Sequence, residues 1–196
     1  FSLVRKCIER AGGQLPAQLD GKPFRQAVME PTRIYVKPVL EALAKHAGIK
    51  ALAHITGGGL LENIPRVLPE GMAAQLRQGS WPRTELFAWL QATAAIDDHE
   101  MNRTFNNGIG MVVVVAAGEA AAVAETLRQQ GESVHEIGRI APHGPGPSVT
   151  VATSLCLCDQ SSPLVDPVPK VTDRMGRPWS DRPTSSARSA PEETEG

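Results

Sequence analysis

The spacing of apolar residues predicts a succession of helices along most of this chain. From Leu3 to Ala11, apolar residues recur at intervals of three and four, which is the pattern of an amphipathic helix, and Gly12–Gly13 suits the end of that helix. Similar patterns predict four further helices: Val36–His46, a short helix from Leu60 to Ile64 that Pro65 stops, Thr84–Ala95 and Glu119–Gln130.

Strands are predicted between these helices. The clearest is Ile109–Ala116, IGMVVVVA, whose run of β-branched residues predicts burial on both faces. Shorter apolar segments predict three more strands: Ala51–Thr56, Val134–Ile140 and Ser148–Ala152. Because helices and strands interleave, the fold class predicted is α+β, with a mixed β-sheet flanked by helices.

The two ends of the chain differ from its middle. Residues 153–196 are rich in proline, serine and scattered charges, and such a segment buries too little apolar surface to offset its ordering entropy. We therefore predict a folded domain over residues 1–152 and a disordered tail over residues 153–196. The first helix begins without a capping residue, so we expect an upstream part of the protein before Phe1.

Composition excludes several classes of function. The formal net charge of −1 provides no basic surface for nucleic acid or for an anionic membrane. No apolar run reaches the roughly 18 residues that a membrane-spanning helix needs. Three cysteines, an odd number, fit a reducing compartment better than a disulfide framework, so we expect a cytoplasmic protein. Cys156 and Cys158 have too few neighbouring ligand residues for a metal site.

A glycine-rich turn is the first candidate for chemistry. His54 ends an apolar strand and is followed by Thr56 and the three glycines Gly57, Gly58 and Gly59. Glycines let the backbone approach a ligand closely, so this turn can cradle a phosphate, with help from the Thr56 hydroxyl and from Arg66. The alternatives are a simple tight turn and, for His54, a structural histidine in place of a base or hydrogen-bond donor.

Two other segments carry polar residues. Asp97 and Asp98 resemble part of a metal site, but they suit the start of a helix better, and we predict no metal ligand here. Asn106, Asn107 and Gly108 form a turn that can also line a pocket.

A further segment, Pro31–Tyr35, places Arg33 beside the one tyrosine of the chain. Structural packing is its default interpretation, and a phosphate-facing Arg33 is the alternative.

Taken together, these segments resemble the C-terminal domain of the aminoimidazole ribonucleotide synthetase (phosphoribosylformylglycinamidine cyclo-ligase) family. The resemblance covers residues 1–152 and rests on six segments in the family's order: LDGKP at Leu19–Pro23, EPTRIYVKPVLE at Glu30–Glu41, HITGGGLLENIPRVLP at His54–Pro69, SW at Ser80–Trp81, HEMNRTFNNGIGMVVVV at His99–Val115, and GE…IG at Gly131–Gly138.

The resemblance implies an ATP-dependent ligase of purine biosynthesis. Such enzymes convert formylglycinamidine ribonucleotide and ATP to aminoimidazole ribonucleotide, ADP and phosphate. The family enzyme is a homodimer with its active site between two domains, and the N-terminal domain, which this chain lacks, holds most of the Mg²⁺ and ATP ligands. The chain alone is therefore expected to be inactive.

For this chain, the resemblance implies a catalytic or substrate-orienting role for His54. It implies substrate or phosphate binding by Thr56, Gly57–Gly59, Asn106 and Gly108. Asn107 stands where the family often has Cys or Met, so no role is assigned to it.

Two alternatives remain open. The chain can be a catalytically inert fragment or docking module, or it can belong to a sister enzyme of the superfamily, such as thiamine-monophosphate kinase or selenophosphate synthetase. The HITGGG…ENIPR segment, together with FNNGIGM, favours the cyclo-ligase.

Overall fold

Seven α-helices and seven β-strands make up residues 2–153, the part of the chain that this computed structural model describes. The helices are Ser2–Arg10 (α1), Phe24–Val28 (α2), Val36–Lys45 (α3), Gly59–Asn63 (α4), Glu85–Ala94 (α5), Asp98–Thr104 (α6) and Ala120–Gln129 (α7). The strands are Gln18–Leu19 (β1), Lys22–Pro23 (β2), Ile49–His54 (β3), Met72–Gln78 (β4), Met111–Val115 (β5), Gly138–Pro142 (β6) and Val149–Thr153 (β7). Single 3-10 turns lie at Pro65–Val67 and Ala117–Glu119.

The strands form a three-stranded mixed sheet and two antiparallel pairs. In the mixed sheet, β4 is central, with β6 antiparallel on one side and β7 parallel on the other. The strands β3 and β5 form an antiparallel pair in which His54 lies opposite Met111. The third pair joins β1 and β2. Helices and mixed pairing together confirm the predicted α+β class.

Two apolar clusters hold these elements together. The larger one joins β3 and α4 to the mixed sheet, and its buried members are Ala53, Ile55, Leu60, Ile64, Ala74, Leu76, Trp81, Ile109 and Val149. The smaller one joins α3 to α7 through Ala42, Val123 and Leu127. Val112 of β5 packs on the first cluster, whereas Val113 and Val115 pack on the second, as the alternation of side chains along a strand requires.

The valine strand was predicted to be buried on both faces, and its burial on each face is only partial. All five residues of β5 are only partly buried, although the strand contacts an apolar cluster on each face. The reason is that β5 pairs with a single strand, β3, among residues 2–153. An edge strand leaves side chains and backbone groups less covered than a central strand does.

Several boundaries also differ from the prediction. β3 begins at Ile49 and ends at His54, and β6 occupies Gly138–Pro142 where Val134–Ile140 was predicted. The central strand β4 has no counterpart in the prediction, because MAAQLRQ combines residues of low strand preference. β4 is a strand because β6 and β7 pair with it on its two sides, and the local sequence does not indicate these partners.

The predicted disordered tail lies outside the described residues, except for Thr153, which ends β7. The Cys156 and Cys158 pair also lies outside them. Within residues 2–153, no helix is both long and apolar enough to span a bilayer.

Candidate functional site

His54 and Thr56 point to the surface from the end of β3. Along this segment Ala53 and Ile55 are buried, whereas His54 and Thr56 are exposed, which is the alternation of an extended chain. The Ile55 N–H donates to the Gly110 carbonyl at 2.9 Å and so extends the pairing of β3 with β5 by one residue. The two exposed side chains therefore lie on the same side of a well-fixed segment.

The glycine turn follows directly, and its three glycines differ. Gly58 and Gly59 have φ values of +94° and +54°, which side-chain-bearing residues adopt with strain. A Cβ atom at Gly59 would collide with the main-chain carbonyl of Asn102, whereas one at Gly57 would have nothing within 4 Å. Gly59 is therefore needed for packing, and Gly57 faces open space.

Asn63, which the sequence reasoning missed, fixes the shape of this turn. Its buried Nδ2 donates to the carbonyl of Gly59 at 2.8 Å and to that of Gly57 at 3.1 Å. Its Oδ1 accepts from the Arg66 guanidinium at 3.3 Å, so Arg66 supports the turn from behind. One signal for Asn63 is present in the sequence: with Leu60 and Ile64 it shares the buried face of α4, where a polar residue needs partners.

Of the two acidic residues at the start of α6, Asp97 is the predicted helix cap and Asp98 is not. The Asp97 carboxylate accepts from the Glu100 N–H at 2.8 Å and caps the helix. Asp98 instead accepts from Gln91 at 2.9 Å and from Arg83 at 2.8 Å. These hydrogen bonds, that of Gln91 first, lower the pKa of the Asp98 carboxyl below its ordinary value.

The turn after α6 is built on two buried asparagines. Asn107 Nδ2 donates to Asn102 Oδ1 at 2.7 Å, and the Asn107 carbonyl accepts from the Trp81 indole N–H at 3.0 Å. Asn107 also has a φ of +48°, a conformation that asparagine tolerates better than most residues. This network makes Asn107 a structural residue. Asn102 and Trp81 are its partners, and the sequence alone did not predict this role for them.

Asn106 and Gly108 lie on the outer side of the same turn. Asn106 Oδ1 accepts from the Gly108 N–H at 3.1 Å, and the Asn106 carbonyl accepts from the Ile109 N–H at 2.9 Å. Asn106 is half-buried and Gly108 is exposed. The carbonyls of Asn102 and Phe105 approach Gly59 closely, so this turn and the glycine turn lie side by side.

Tyr35 contacts His54 from a third segment. The two rings meet edge to face, with centroids 6.0 Å apart and an angle of 69° between their planes. The Tyr35 hydroxyl occupies the space that a side chain at Gly110 would need. Burial, and secondarily the charge of Glu132, raises the pKa of Tyr35 above its ordinary value. Tyr35 thus packs across the ends of β3 and β5, beside the candidate base.

The contacts of Arg33 favour the packing interpretation over the phosphate-facing alternative. Its guanidinium donates to the Gly131 carbonyl at 2.8 Å and pairs with the Glu132 carboxylate at 2.8 Å. Gly131 and Glu132 lie just after the end of α7, so the Arg33 guanidinium forms its ion pair there.

The arrangement is an open surface with several hydrogen-bonding groups. The N–H groups of Gly57 and Gly58 donate to no other group within residues 2–153, and His54 and Thr56 precede them closely in the sequence. Asn106 belongs to the neighbouring turn, which the approach of Gly59 to Asn102 and Phe105 brings beside the glycine turn. Across the described range, no group of three or more His, Cys, Asp or Glu side chains could hold a metal ion. A shallow, open surface depression lined by Pro23, Arg25, Gln26 and Met29 shares no residue with this site.

Comparison with known proteins gives a consistent family. The family described as AIR synthase related protein, C-terminal domain, matches residues 1–149. The chain is 76% identical over 151 residues to a phosphoribosylformylglycinamidine cyclo-ligase of Polaromonas sp. strain JS666. This match covers 77% of the chain and 43% of the relative. A protein of the same name from Albidiferax ferrireducens is 74% identical with the same coverage. A third, from Bordetella pertussis, is 57% identical over 152 residues, which is 77% of this chain and 44% of the relative. The chain therefore spans less than half the length of the curated relatives that it matches.

Proposed function

Since this chain belongs to the AIR synthase related protein family and matches its C-terminal domain, we propose that it is the C-terminal part of a phosphoribosylformylglycinamidine cyclo-ligase. The complete enzyme converts formylglycinamidine ribonucleotide and ATP to aminoimidazole ribonucleotide, ADP and phosphate. In the proposed reaction, the γ-phosphoryl group of ATP passes to the formyl-amide oxygen, the amidine nitrogen attacks the activated carbon, and phosphate leaves as the ring closes.

One observation carries this proposal: two family-like turns from distant segments lie side by side, next to an exposed histidine. The contact of Gly59 with the carbonyls of Asn102 and Phe105 joins the turns, and His54 immediately precedes the first of them. The relatives described above, which are 57% to 76% identical to this chain over 151 or 152 residues, carry the cyclo-ligase name and not that of a sister enzyme.

The groups at the site suit an anionic, nucleotide-sized substrate. The N–H groups of Gly57 and Gly58 are unpaired within residues 2–153 and are close to the Thr56 hydroxyl. Hydrogen bonds of this kind to phosphate oxygens are charge-assisted and strong. We assign phosphate or substrate contacts to Thr56 and Gly57–Gly59, and substrate contacts to Asn106 and Gly108 on the neighbouring turn.

His54 is assigned to the reacting groups. An exposed imidazole at the end of a fixed strand can accept the amidine proton during ring closure, or it can orient the substrate by a hydrogen bond. Tyr35 restricts the imidazole through its edge-to-face contact. The experiment below distinguishes the two roles of His54.

ATP and Mg²⁺ are assigned mainly to the part of the enzyme that this chain does not span. Mg²⁺ supplies charge neutralisation to a transferring phosphoryl group when it is bound. We assign no metal ligand among the site residues named above. The proposal also includes a homodimeric, cytoplasmic enzyme whose N-terminal domain completes the site.

The test is ring closure by a joined protein. The part of the Polaromonas relative that precedes its match is fused to this chain, and formation of aminoimidazole ribonucleotide is followed by chromatography. We expect no turnover by the chain alone and ATP-dependent turnover by the joined protein. A folded joined protein without turnover would contradict the proposed function.

Histidine variants of the joined protein then test the site. We expect His54→Gln to lower kcat by about 100-fold or more, the scale of general acid–base catalysis. The exposed His135 provides the matched control, and His135→Gln should leave kcat unchanged. If His54 accepts the proton, the acidic limb in the pH dependence of kcat disappears in His54→Asn. If His54 only orients the substrate, that limb stays in place.

A further inference from the structure

A carboxylate, that of Glu62, lies beside the glycine turn of the candidate site. Helix α4 begins directly after Gly58, and the Glu62 N–H donates to the Gly58 carbonyl one helical turn back, at 3.0 Å. Because helix side chains tilt toward the N-terminus, the Glu62 side chain reaches back over Gly58. A Cβ atom at Gly58 would come within 2.6 Å of Glu62 Oε2 and within 2.9 Å of Glu62 Cβ. The glycine at position 58 therefore leaves room for a carboxylate against the turn.

This carboxylate is exposed, and the cations around it are held by other groups. Arg66, four residues further along the chain, donates to Asn63 Oδ1 at 3.3 Å. The pKa of the Arg103 guanidinium is raised by Glu100 first and by the charge of Glu62 after it, so Arg103 is within electrostatic reach of Glu62. Arg103 nevertheless binds Glu100, through two hydrogen bonds of 2.9 Å. The charge of Glu62 is thus available to a ligand.

A free carboxylate at the turn restricts which part of a ligand can lie there. At contact distance, a negative charge repels a phosphate that has no cation next to it. The Gly57 and Gly58 N–H groups, which have no partner within residues 2–153, require an acceptor in the same place. A ligand that satisfies both requirements has a cationic group close to an anionic or acceptor group.

The reacting end of the proposed substrate has this combination. An amidine is protonated at neutral pH, and its N–H groups match the two oxygens of a carboxylate, as those of a guanidinium do. In the proposed reaction, the phosphoryl group is carried by the formyl-amide oxygen, on the carbon that the amidine nitrogen attacks. The amidine and the phosphoryl group are therefore neighbours, whereas the phosphate on the ribose is remote from both.

We propose that Glu62 binds the amidine group of formylglycinamidine ribonucleotide and selects this substrate over a ribonucleotide with a neutral amide. The glycine turn then contacts the reacting end of the substrate and not its ribose phosphate. This inference rests on the proposed function, because it assigns a specificity-determining residue to the same reaction.

The test compares two ribonucleotides that differ at one atom. Calorimetry measures the binding of formylglycinamidine ribonucleotide to the joined protein defined above, and of the matching amide, in which oxygen replaces the amidine nitrogen. The amidine should bind at least about tenfold more tightly, the scale of one hydrogen bond to a charged group. Glu62→Gln keeps the shape of the side chain and removes its charge, so it should abolish this preference and raise KM for the amidine by a similar factor.

Glu70→Gln is the matched control, since Glu70 is an exposed glutamate outside the site and its substitution changes the net charge equally. It should leave the preference and KM unchanged. Glu62→Asp, which retains the charge, should keep part of the preference. Equal binding of the two ribonucleotides by the unaltered protein, or binding of neither, would overturn the proposal.

A structural role and a metal-binding role of Glu62 predict different results. If Glu62 only stabilises the turn, Glu62→Gln lowers the melting temperature and leaves the preference for the amidine intact. If Glu62 binds Mg²⁺, a higher Mg²⁺ concentration restores the turnover of Glu62→Gln. Either result would overturn the proposal.

These measurements separate the role of Glu62 from the proposed function. Turnover with the same ribonucleotide preference in the unaltered protein and in Glu62→Gln would support the activity and overturn the role of Glu62. A preference for the amidine that depends on Glu62, in a joined protein without turnover, would support the role of Glu62 and contradict the cyclo-ligase activity.

Discussion

The two turns at the candidate site reach their shapes by different means. The glycine turn has almost no side chains of its own, and the buried Asn63 amide holds its carbonyls from behind. The turn after α6 is held from within, by the side chains of Asn102 and Asn107 and by the Trp81 indole. The first turn therefore presents backbone N–H groups to solvent, whereas the second presents one side chain, Asn106.

This difference determines which residues can be changed without unfolding the site. In each turn, a residue that faces inward stabilises the fold and a neighbouring residue that faces outward is free for a ligand. Gly59 and Gly57 form such a pair in the glycine turn, and Asn107 and Asn106 form another. Substituting each member separately tests whether stability and activity divide as the structure indicates.

The largest expected effect is that of Gly59→Ala. Its φ of +54° is unfavourable for alanine, and the new Cβ would press on the main-chain carbonyls of Asn102 and Phe105. Backbone strain and overpacking together should lower the free energy of unfolding by about 3 kcal/mol. The measurement is urea unfolding followed by circular dichroism.

Gly57→Ala is the matched control, because a Cβ there meets nothing within 4 Å. It should leave the unfolding midpoint unchanged while slowing ring closure by the joined protein, since the methyl group obstructs a phosphate on the turn. Loss of stability in Gly57→Ala would show that this glycine also packs.

The next effect in size is that of Asn63→Ala. The substitution removes the donor to the Gly57 and Gly59 carbonyls and the acceptor of the Arg66 guanidinium, which should cost about 2 kcal/mol of unfolding free energy. Asn63→Asp should destabilise similarly, because a carboxylate cannot donate to the Gly57 and Gly59 carbonyls. If Asn63→Asp had the stability of the wild type, the amide would not be the group that holds the turn.

The adjacent asparagines give a smaller and more selective comparison. Asn107→Ala should lower the unfolding free energy by about 1–2 kcal/mol, because Asn102 Oδ1 loses its buried donor. Asn106→Ala should cost only about 0.5 kcal/mol, since it removes one partly exposed contact with the Gly108 N–H. In the joined protein, however, Asn106→Ala should reduce kcat/KM more than Asn107→Ala does. The reverse order of activities would place the ligand contact on Asn107.

Local sequence signals were sufficient for the elements that these turns connect. Glycines after an apolar strand predicted the first turn, and Asp97 before α6 predicted a cap that the structure confirms. The α+β class followed from periodicity alone. These features depend on residues within a few positions of one another, which is the range over which a single sequence is informative.

Features that depend on distant residues were not accessible in the same way. The strand β4 exists because β6 and β7 pair with it, and Arg33 is engaged by residues that follow α7. Asn63 was overlooked because its partners are backbone carbonyls, which the sequence does not distinguish. A polar residue on the buried face of a short helix is the one local signal that pointed to it.

The smallest expected effect concerns Asp98, at the start of the helix that leads into the second turn. Hydrogen bonds from Gln91 and Arg83 lower its pKa in the folded protein. Its contribution to stability is therefore present above the ordinary pKa of an aspartate and is lost as the pH falls through the lowered value. Because the side chain is 59% exposed, Asp98→Asn should change the unfolding free energy at neutral pH by no more than about 0.5 kcal/mol.

Asp97→Ala, which removes the cap, should cost about 1 kcal/mol. Urea midpoints at low and high salt separate the two, because salt screens the Asp98–Arg83 pair far more than the Asp97 hydrogen bond. A salt-independent loss in Asp98→Asn would instead make Asp98 part of the cap.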